Sequence, residues 1–266
     1  MHAYVINLAR SADRRSHIVA ELARAGIDYE IVTAVDGREL DVHDTASIAP
    51  EFLKFEFSAG SAGAALSHLS VYKKIIADGW DKALVLEDDV ILPADLESLV
   101  NAVAGHLTGA EIALLSFHCP EPCKMSRAEA VTLSPGRVLA LPIDVSQPQS
   151  GAAYVITREA CERMVKDALP IRVLADTWWH FYREGRLDRV RCVVPLSVRK
   201  SPKFASSIGF YSLGGGLKSR LAGPLVRGNI PGLRQAISYR RELILRRWGR
   251  SELVAAPFVE RPSRID

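Results

Sequence analysis

The chain has 266 residues, 48% of them apolar and 24% charged, with a net charge of +3. That composition supports a sizeable core and excludes a disordered or collagen-like chain. The charge is divided: between Lys218 and Arg250 nine basic residues face one acid, while residues 1–217 carry a net −4, so basic charge confined to one segment argues against a nucleic-acid binder.

Ala3–Leu8 reads as a first strand, and Asn7–Ser11 turns out of it into a helix with Ile18, Val19, Leu22 and Ala25 at helical spacing, capped by Ser11 or Asp13 and ended by Gly26. Tyr29–Val32 is a second strand. Arg10, Arg14 and Arg15 collect at the carboxyl end of the first strand, where guanidinium groups suit phosphate or else form a solvated helix face. A turn at Val35–Arg38 leads into a loop with room for a short helix. The small residues of Ser58–His68 precede Leu69, Tyr72, Ile75 and Ile76 at helical spacing. They allow close backbone approach, which suits a pyrophosphate at a helix start or helix packing on the core. His68 has the alternative of a satisfied structural histidine.

The apolar run Ala83–Leu86 predicts a buried strand that ends in Glu87, Asp88 and Asp89. Alternation aims Glu87 and Asp89 one way and Asp88 the other. Two hard oxygen ligands on one side suit Mg or Mn bridging to a nucleotide diphosphate; an acidic turn before the next helix is the alternative. A helix over Asp95–Ala104, a strand over Ile112–Phe117 and a loop through His118, Cys119 and Cys123 follow. Val138–Leu141 and Gly151–Thr157 read as strands, with Thr157 capping a helix through Val165. Asp176 and His180 share a face if their segment is helical, and with Trp178 and Trp179 they suit a sugar site or a core helix. Val190–Val194 is the last predicted strand. Alternating β and α elements predict an α/β fold with a mainly parallel central sheet flanked by helices over residues 1–198, followed by a loop and a basic helical tail over 199–266.

The four cysteines lack zinc-finger spacing and suit a reduced cytosolic setting. The opening apolar run is too short for a signal peptide, and no run approaches the roughly 20 residues of a spanning helix. Within residues 231–250, Leu233, Ile237, Leu243, Ile244 and Trp248 can share one side of a helix flanked by arginines, the pattern of an interfacial helix on an anionic membrane surface. A cytoplasmic protein, peripheral on the inner face of the cytoplasmic membrane, is expected.

Val5–Arg15, Ser58–His68, Leu84–Val90 and, more weakly, Gly151–Ile156 together resemble glycosyltransferase family 25 in order and spacing. The resemblance implies a GT-A-like catalytic domain moving galactose or glucose, with inversion, from a UDP-sugar onto a saccharide of a cell-envelope glycolipid such as lipopolysaccharide. It implies Mn2+ or Mg2+ on Asp89, with Glu87 binding through water or holding the ribose. Donor contacts then fall on Asn7, Leu8, Arg10, Arg14, Ser67, His68, Glu87 and Asp88, and Asp176 is the candidate base. Ser61 and Ala64 stand where family members usually carry an acid and a cysteine. A nucleotidylyltransferase or a non-catalytic membrane- or carbohydrate-binding protein are the alternatives.

Overall fold

A computed structural model describes residues 1–50, 58–119, 122–204 and 251–255. The predicted tail helix over 231–250 lies outside the described residues. β1 (Ala3–Asn7), α1 (Ala12–Ala25) and β2 (Tyr29–Thr33) form the opening unit, followed by α2 (Val42–Ile48), α3 (Ala59–Ala77), β3 (Lys82–Glu87), β4 (Val90–Ile91) and α4 (Leu96–Gly105). β5 (Glu111–Leu114), β6 (Cys123–Ser126), β7 (Val131–Ser134), β8 (Arg137–Ala140), β9 (Ala153–Thr157) and α5 (Arg158–Val165) come next. α6 (Trp178–Arg183), β10 (Arg189–Val194), β11 (Arg199–Lys200) and β12 (Ser251–Val254) complete the described elements.

Eight strands form one sheet in the order β2-β1-β3-β9-β5-β10-β8-β7. It is mixed rather than mainly parallel: three pairings are parallel and four antiparallel. A strand buried on both faces reads as a continuous apolar run whichever way it points. β9, all five residues buried, runs back between β3 and β5 and so splits the parallel set.

Side-chain alternation divides the core into two layers. Tyr4, Val85, Tyr154 and Ile156 pack with Val71, Tyr72 and Ile75 of α3 and Cys161 of α5 on one face. Val5, Leu84, Leu86 and Val155 pack with Ile18 and Leu22 of α1 and Leu99 and Val100 of α4 on the other. Each fully buried aliphatic side chain contributes about 1.5–3 kcal/mol. α1 ends on Gly26 with φ 68°, and α5 starts where Thr157 Oγ1 accepts the Ala160 N–H at 3.2 Å, both as the sequence predicts.

β1 and β3 are parallel, with Ile6 opposite Glu87, so both release the chain at one edge. Antiparallel β9 enters from that edge, where the Glu87 N–H donates to Ala152 O at 2.8 Å. The segment after β10 joins them: Val198 N–H donates to Leu115 O at 3.0 Å, and β11 pairs with β4. Thus residues 199–200 and 251–254, which the sequence assigns to the tail, pair with β4 and β6.

Candidate active site

The acids sit at the carboxyl edge of β1 and β3. Strict alternation does not hold there, because the strand ends at Glu87 and Asp88 and Asp89 form a turn. Asp88 and Asp89 therefore approach the same guanidinium. Arg14 Nη1 donates to Asp88 Oδ1 at 2.7 Å and Arg14 Nη2 lies 3.5 Å from Asp89 Oδ2. Asn7 Nδ2 donates to the other Asp88 oxygen at 2.7 Å. Glu87 instead meets Lys200, whose Nζ donates to Oε2 at 2.8 Å.

These contacts set the protonation states. Burial pushes the Glu87 pKa up, but Lys200, His68 and Arg14 more than offset it and hold the group below the usual carboxylate range. Asp89 is raised: burial dominates, Glu87 and Asp88 add to it, and Lys200 and Arg14 offset only part. Its Oδ1 is buried and has no hydrogen-bond partner among the described residues. Lys200 is pushed down by burial but up by Glu87, Asp89 and Asp176, with a net rise that keeps the ammonium charged.

The acids and Lys200 line a cleft of about 410 Å³ together with Leu8, Arg10, Arg14, Asp36, Arg38, Ser67 and His68. Arg10 is ion-paired with Asp36, which fixes it on the cleft wall. Asn7 is buried beneath the acids and positions Asp88. Ser67 Oγ donates to Gly63 O at 2.6 Å and accepts the Val35 N–H at 2.9 Å, tying α3 to the loop after β2. Gly63 serves that approach as well, since a Cβ there would fall 2.6 Å from Val35 O. Ser58 Oγ accepts the Ser61 N–H at 3.1 Å, so the small-residue run opens with its own cap.

His68 lies between this cleft and a smaller pocket lined by Tyr72, Ile171 and Phe181. Tyr154 OH donates to Tyr72 OH at 3.0 Å and lies 2.7 Å from His68 Nδ1. Burial holds the imidazole pKa down at about 4, with Glu87 opposing and Lys200 assisting. A Cβ on Gly151 would lie 3.0 Å from His68 Nε2 and 3.6 Å from Glu87 Oε1, so glycine keeps this space open.

α6 begins at Trp178 after Thr177, so Asp176 precedes the helix and shares no helical face with His180. His180 Nε2 pairs with Glu184 at 3.0 Å. Trp178 is fully buried and donates from Nε1 to Ser150 O at 3.0 Å, a core role rather than a sugar platform. Asp176 does lie within electrostatic reach of the acidic edge: burial raises its pKa, Glu87 adds to the rise and Lys200 opposes it.

A family model described as "Glycosyltransferase family 25 (LPS biosynthesis protein)" matches residues 1–179. The chain belongs to glycosyltransferase family 25. This family 25 chain is 35% identical over 97 residues to a glycosyltransferase 25 family member of Aedes aegypti, a match covering 34% of this chain and 16% of that protein. It is 36% identical over 95 residues to procollagen galactosyltransferase 2 of Homo sapiens, covering 33% of this chain and 15% of that protein. A longer match, 28% identical over 186 residues, covers 63% of this chain and 31% of the inactive glycosyltransferase 25 family member 3 of Homo sapiens. Among solved structures, a glucose-1-phosphate thymidylyltransferase of Bacillus anthracis overlays with a TM-score of 0.38 at 13% identity, covering 88% of this chain and 98% of that one. An overlay at that level carries no argument for either kind of transfer.

The expected metal does not fit the acids as this family 25 chain arranges them. Glu87 is neutralised by Lys200, both Asp88 oxygens are engaged, and Asp89 Oδ1 is the remaining buried acceptor of the three without a partner. A divalent ion on Glu87 would have to share the carboxylate with the Lys200 ammonium, which lies 2.8 Å from Oε2. Among the described residues no three His, Cys, Asp or Glu side chains converge on a metal position. Cys119 and Cys123 are buried in the core layer that also holds Cys192. Lys200, Asp36 and Arg38 are cleft residues that sequence reasoning missed. Nothing in the sequence marks Lys200, which is 113 positions from Glu87.

Proposed function

We propose that this chain transfers a hexose, galactose or glucose, from a UDP-sugar to a hydroxyl of a saccharide on a cell-envelope glycolipid. The observation that carries the reading is the convergence of Arg10, Arg14 and Lys200 with the buried carboxylates in one cleft at the strand ends. Cations there suit a diphosphate. The unpartnered Asp89 Oδ1 suits a ribose or sugar hydroxyl, because a buried acceptor left unsatisfied costs about 1–3 kcal/mol that a ligand O–H removes. The family description supports the glycolipid acceptor, and the galactosyltransferase relative supports the sugar.

In this reading the acceptor oxygen attacks the anomeric carbon from the face opposite the diphosphate. Its proton goes to Asp176, the bond from the anomeric carbon to the diphosphate oxygen breaks, and that electron pair leaves with UDP, so configuration inverts. Burial suits Asp176 to the task by raising its proton affinity towards working pH. The test is incubation with UDP-galactose or UDP-glucose and saccharide acceptors. UDP release with glycosylated acceptor supports the reading, whereas release of pyrophosphate from a nucleoside triphosphate and sugar phosphate defeats it in favour of a nucleotidylyltransferase.

A second reading, a non-catalytic carbohydrate-binding protein, is favoured by the relative named inactive; saccharide binding without turnover would establish it. The proposal extends to a cytoplasmic enzyme held on the inner face of the membrane by residues 231–250. No helix among the described residues is long and apolar enough to cross a membrane. Vesicles containing anionic lipid should sediment the full chain at low salt and release it at high salt, and replacing Arg240, Arg241, Arg246 and Arg247 by glutamine should abolish that binding.

A further inference from the structure

The acidic edge already contains a cation. Lys200 Nζ donates to Glu87 Oε2 at 2.8 Å, with the lysine side chain 30% exposed and the glutamate 26%. Lys200 lines the cleft rather than being sealed beneath it. Its backbone is fixed independently of that ion pair: Arg199–Lys200 pairs antiparallel with Val90–Ile91, and the next residue, Ser201, donates its N–H to Asp89 O at 2.6 Å. Two backbone connections thus hold Lys200 against the turn that carries the acids. Leu115 O receives the Ser197 and Val198 N–H groups at 3.2 and 3.0 Å, which anchors the approach to β11 on the central sheet.

Arg14 meets Asp88 and Asp89, so the three acids are served by two cations, a guanidinium and an ammonium. Both cations line the same cleft as His68 and Asp89. Arg14 is committed to two carboxylates. Lys200 has one close carboxylate partner, Glu87, and an ammonium offers three donor hydrogens, so it can keep Glu87 while donating to a further oxygen.

We propose that Lys200 is a catalytic residue that binds the donor's diphosphate and neutralises the charge developing on it, in the place that the sequence gives to a divalent metal. The proposal rests on the nucleotide-sugar reading of the cleft. As the bond between the anomeric carbon and the diphosphate oxygen breaks, its electron pair passes to that oxygen, whose negative charge is stabilised by the ammonium; no proton needs to move from Lys200. A fixed positive charge aimed where charge develops in the transition state acts as a metal would, without reorganisation.

The test is calorimetric titration of the full chain with UDP, and with GDP because the contact is to the diphosphate rather than the base, in EDTA and again with Mn2+. Wild-type protein is expected to bind a nucleoside diphosphate in EDTA. Lys200→Gln should weaken that binding roughly 10- to 100-fold, the effect of losing one charge-assisted contact, and Lys200→Arg should recover part of it. Circular dichroism and thermal melts of both variants establish that they are folded. Mn2+ should leave wild-type affinity within about 2-fold, since like charges compete for the same acids. Binding that requires Mn2+, or equal affinity of wild type and a folded Lys200→Gln, overturns the role of Lys200 while leaving the donor cleft intact. No nucleotide binding by folded wild type under either condition overturns the donor-cleft reading itself, and the role of Lys200 with it.

Discussion

Replacing Arg14 by methionine removes the guanidinium that holds Asp88 and Asp89. The side chain is 11% exposed and its partners Asp88 and Asp89 are 7% and 4% exposed, so the cluster is far drier than a surface salt bridge. At 2.7 Å and an effective dielectric of about 20, the Arg14–Asp88 attraction is on the order of 6 kcal/mol before desolvation is counted. Loss of one partner of a buried pair, which strands the other charge, costs about 3–5 kcal/mol. Asn7 still donates to Asp88 at 2.7 Å, which favours the lower end of that range. Urea denaturation of wild type, Arg14→Met, Asp88→Asn and the double variant gives the assay as a double-mutant cycle. The double variant should be more stable than Arg14→Met alone, because the stranded carboxylate is gone. A loss below about 0.5 kcal/mol for Arg14→Met, the range of exposed substitutions, would refute the reasoning.

Other consequences follow from the same geometry. His68 has a folded-state pKa of about 4 against an ordinary 6.5, so the unfolded chain binds the extra proton between those values; stability should fall by roughly 3 kcal/mol as pH drops from 6.5 to 4, and in an NMR titration its ring should remain neutral above pH 5. His68→Gln should flatten that part of the stability profile, and an unchanged profile would remove His68 as its source. Gly37→Ala drives a Cβ into Ala59 O, a backbone atom that cannot swing aside, and should lower the melting temperature by several degrees in differential scanning calorimetry. Asp176→Asn should lower transfer by at least about 100-fold with UDP affinity nearly unchanged; a matching loss of UDP affinity would place Asp176 in the donor site instead.

Much of the scaffold is legible because its signals are local. The 3.6-residue spacing of Ile18, Leu22 and Ala25 with Gly26 behind them, and Thr157 three residues before the Ala160 N–H, specify α1 and the start of α5 within a few positions. Ser11 occupies the predicted cap position of α1 but makes no side-chain cap bond. Strand direction is not local. Nothing in Ala153–Thr157 records that it runs against β3, because burial on both faces gives the same apolar run either way. The helical reading of Asp176 and His180 fails for a related reason: the sequence predicts a helical period but not that the helix waits until Trp178. Glu87, Asp88 and Asp89 announce a charged strand end, yet the partner that changes their chemistry, Lys200, arrives from a two-residue strand outside any amphipathic pattern. The metal expectation follows from the acids alone, and the ammonium beside them alters it.

The proposed function puts the sugar donor at the Glu87–Asp89 edge. Its most direct test is UDP release from UDP-galactose and UDP-glucose in the presence of a lipopolysaccharide-core acceptor, comparing wild type with Asp89→Ala after circular dichroism and thermal melts show equal folding. Acceptor-dependent release by wild type is expected, with a loss of roughly 10- to 100-fold in the variant, since Asp89 carries the buried oxygen that awaits a donor hydroxyl. Equal acceptor-dependent release by the two proteins would contradict it.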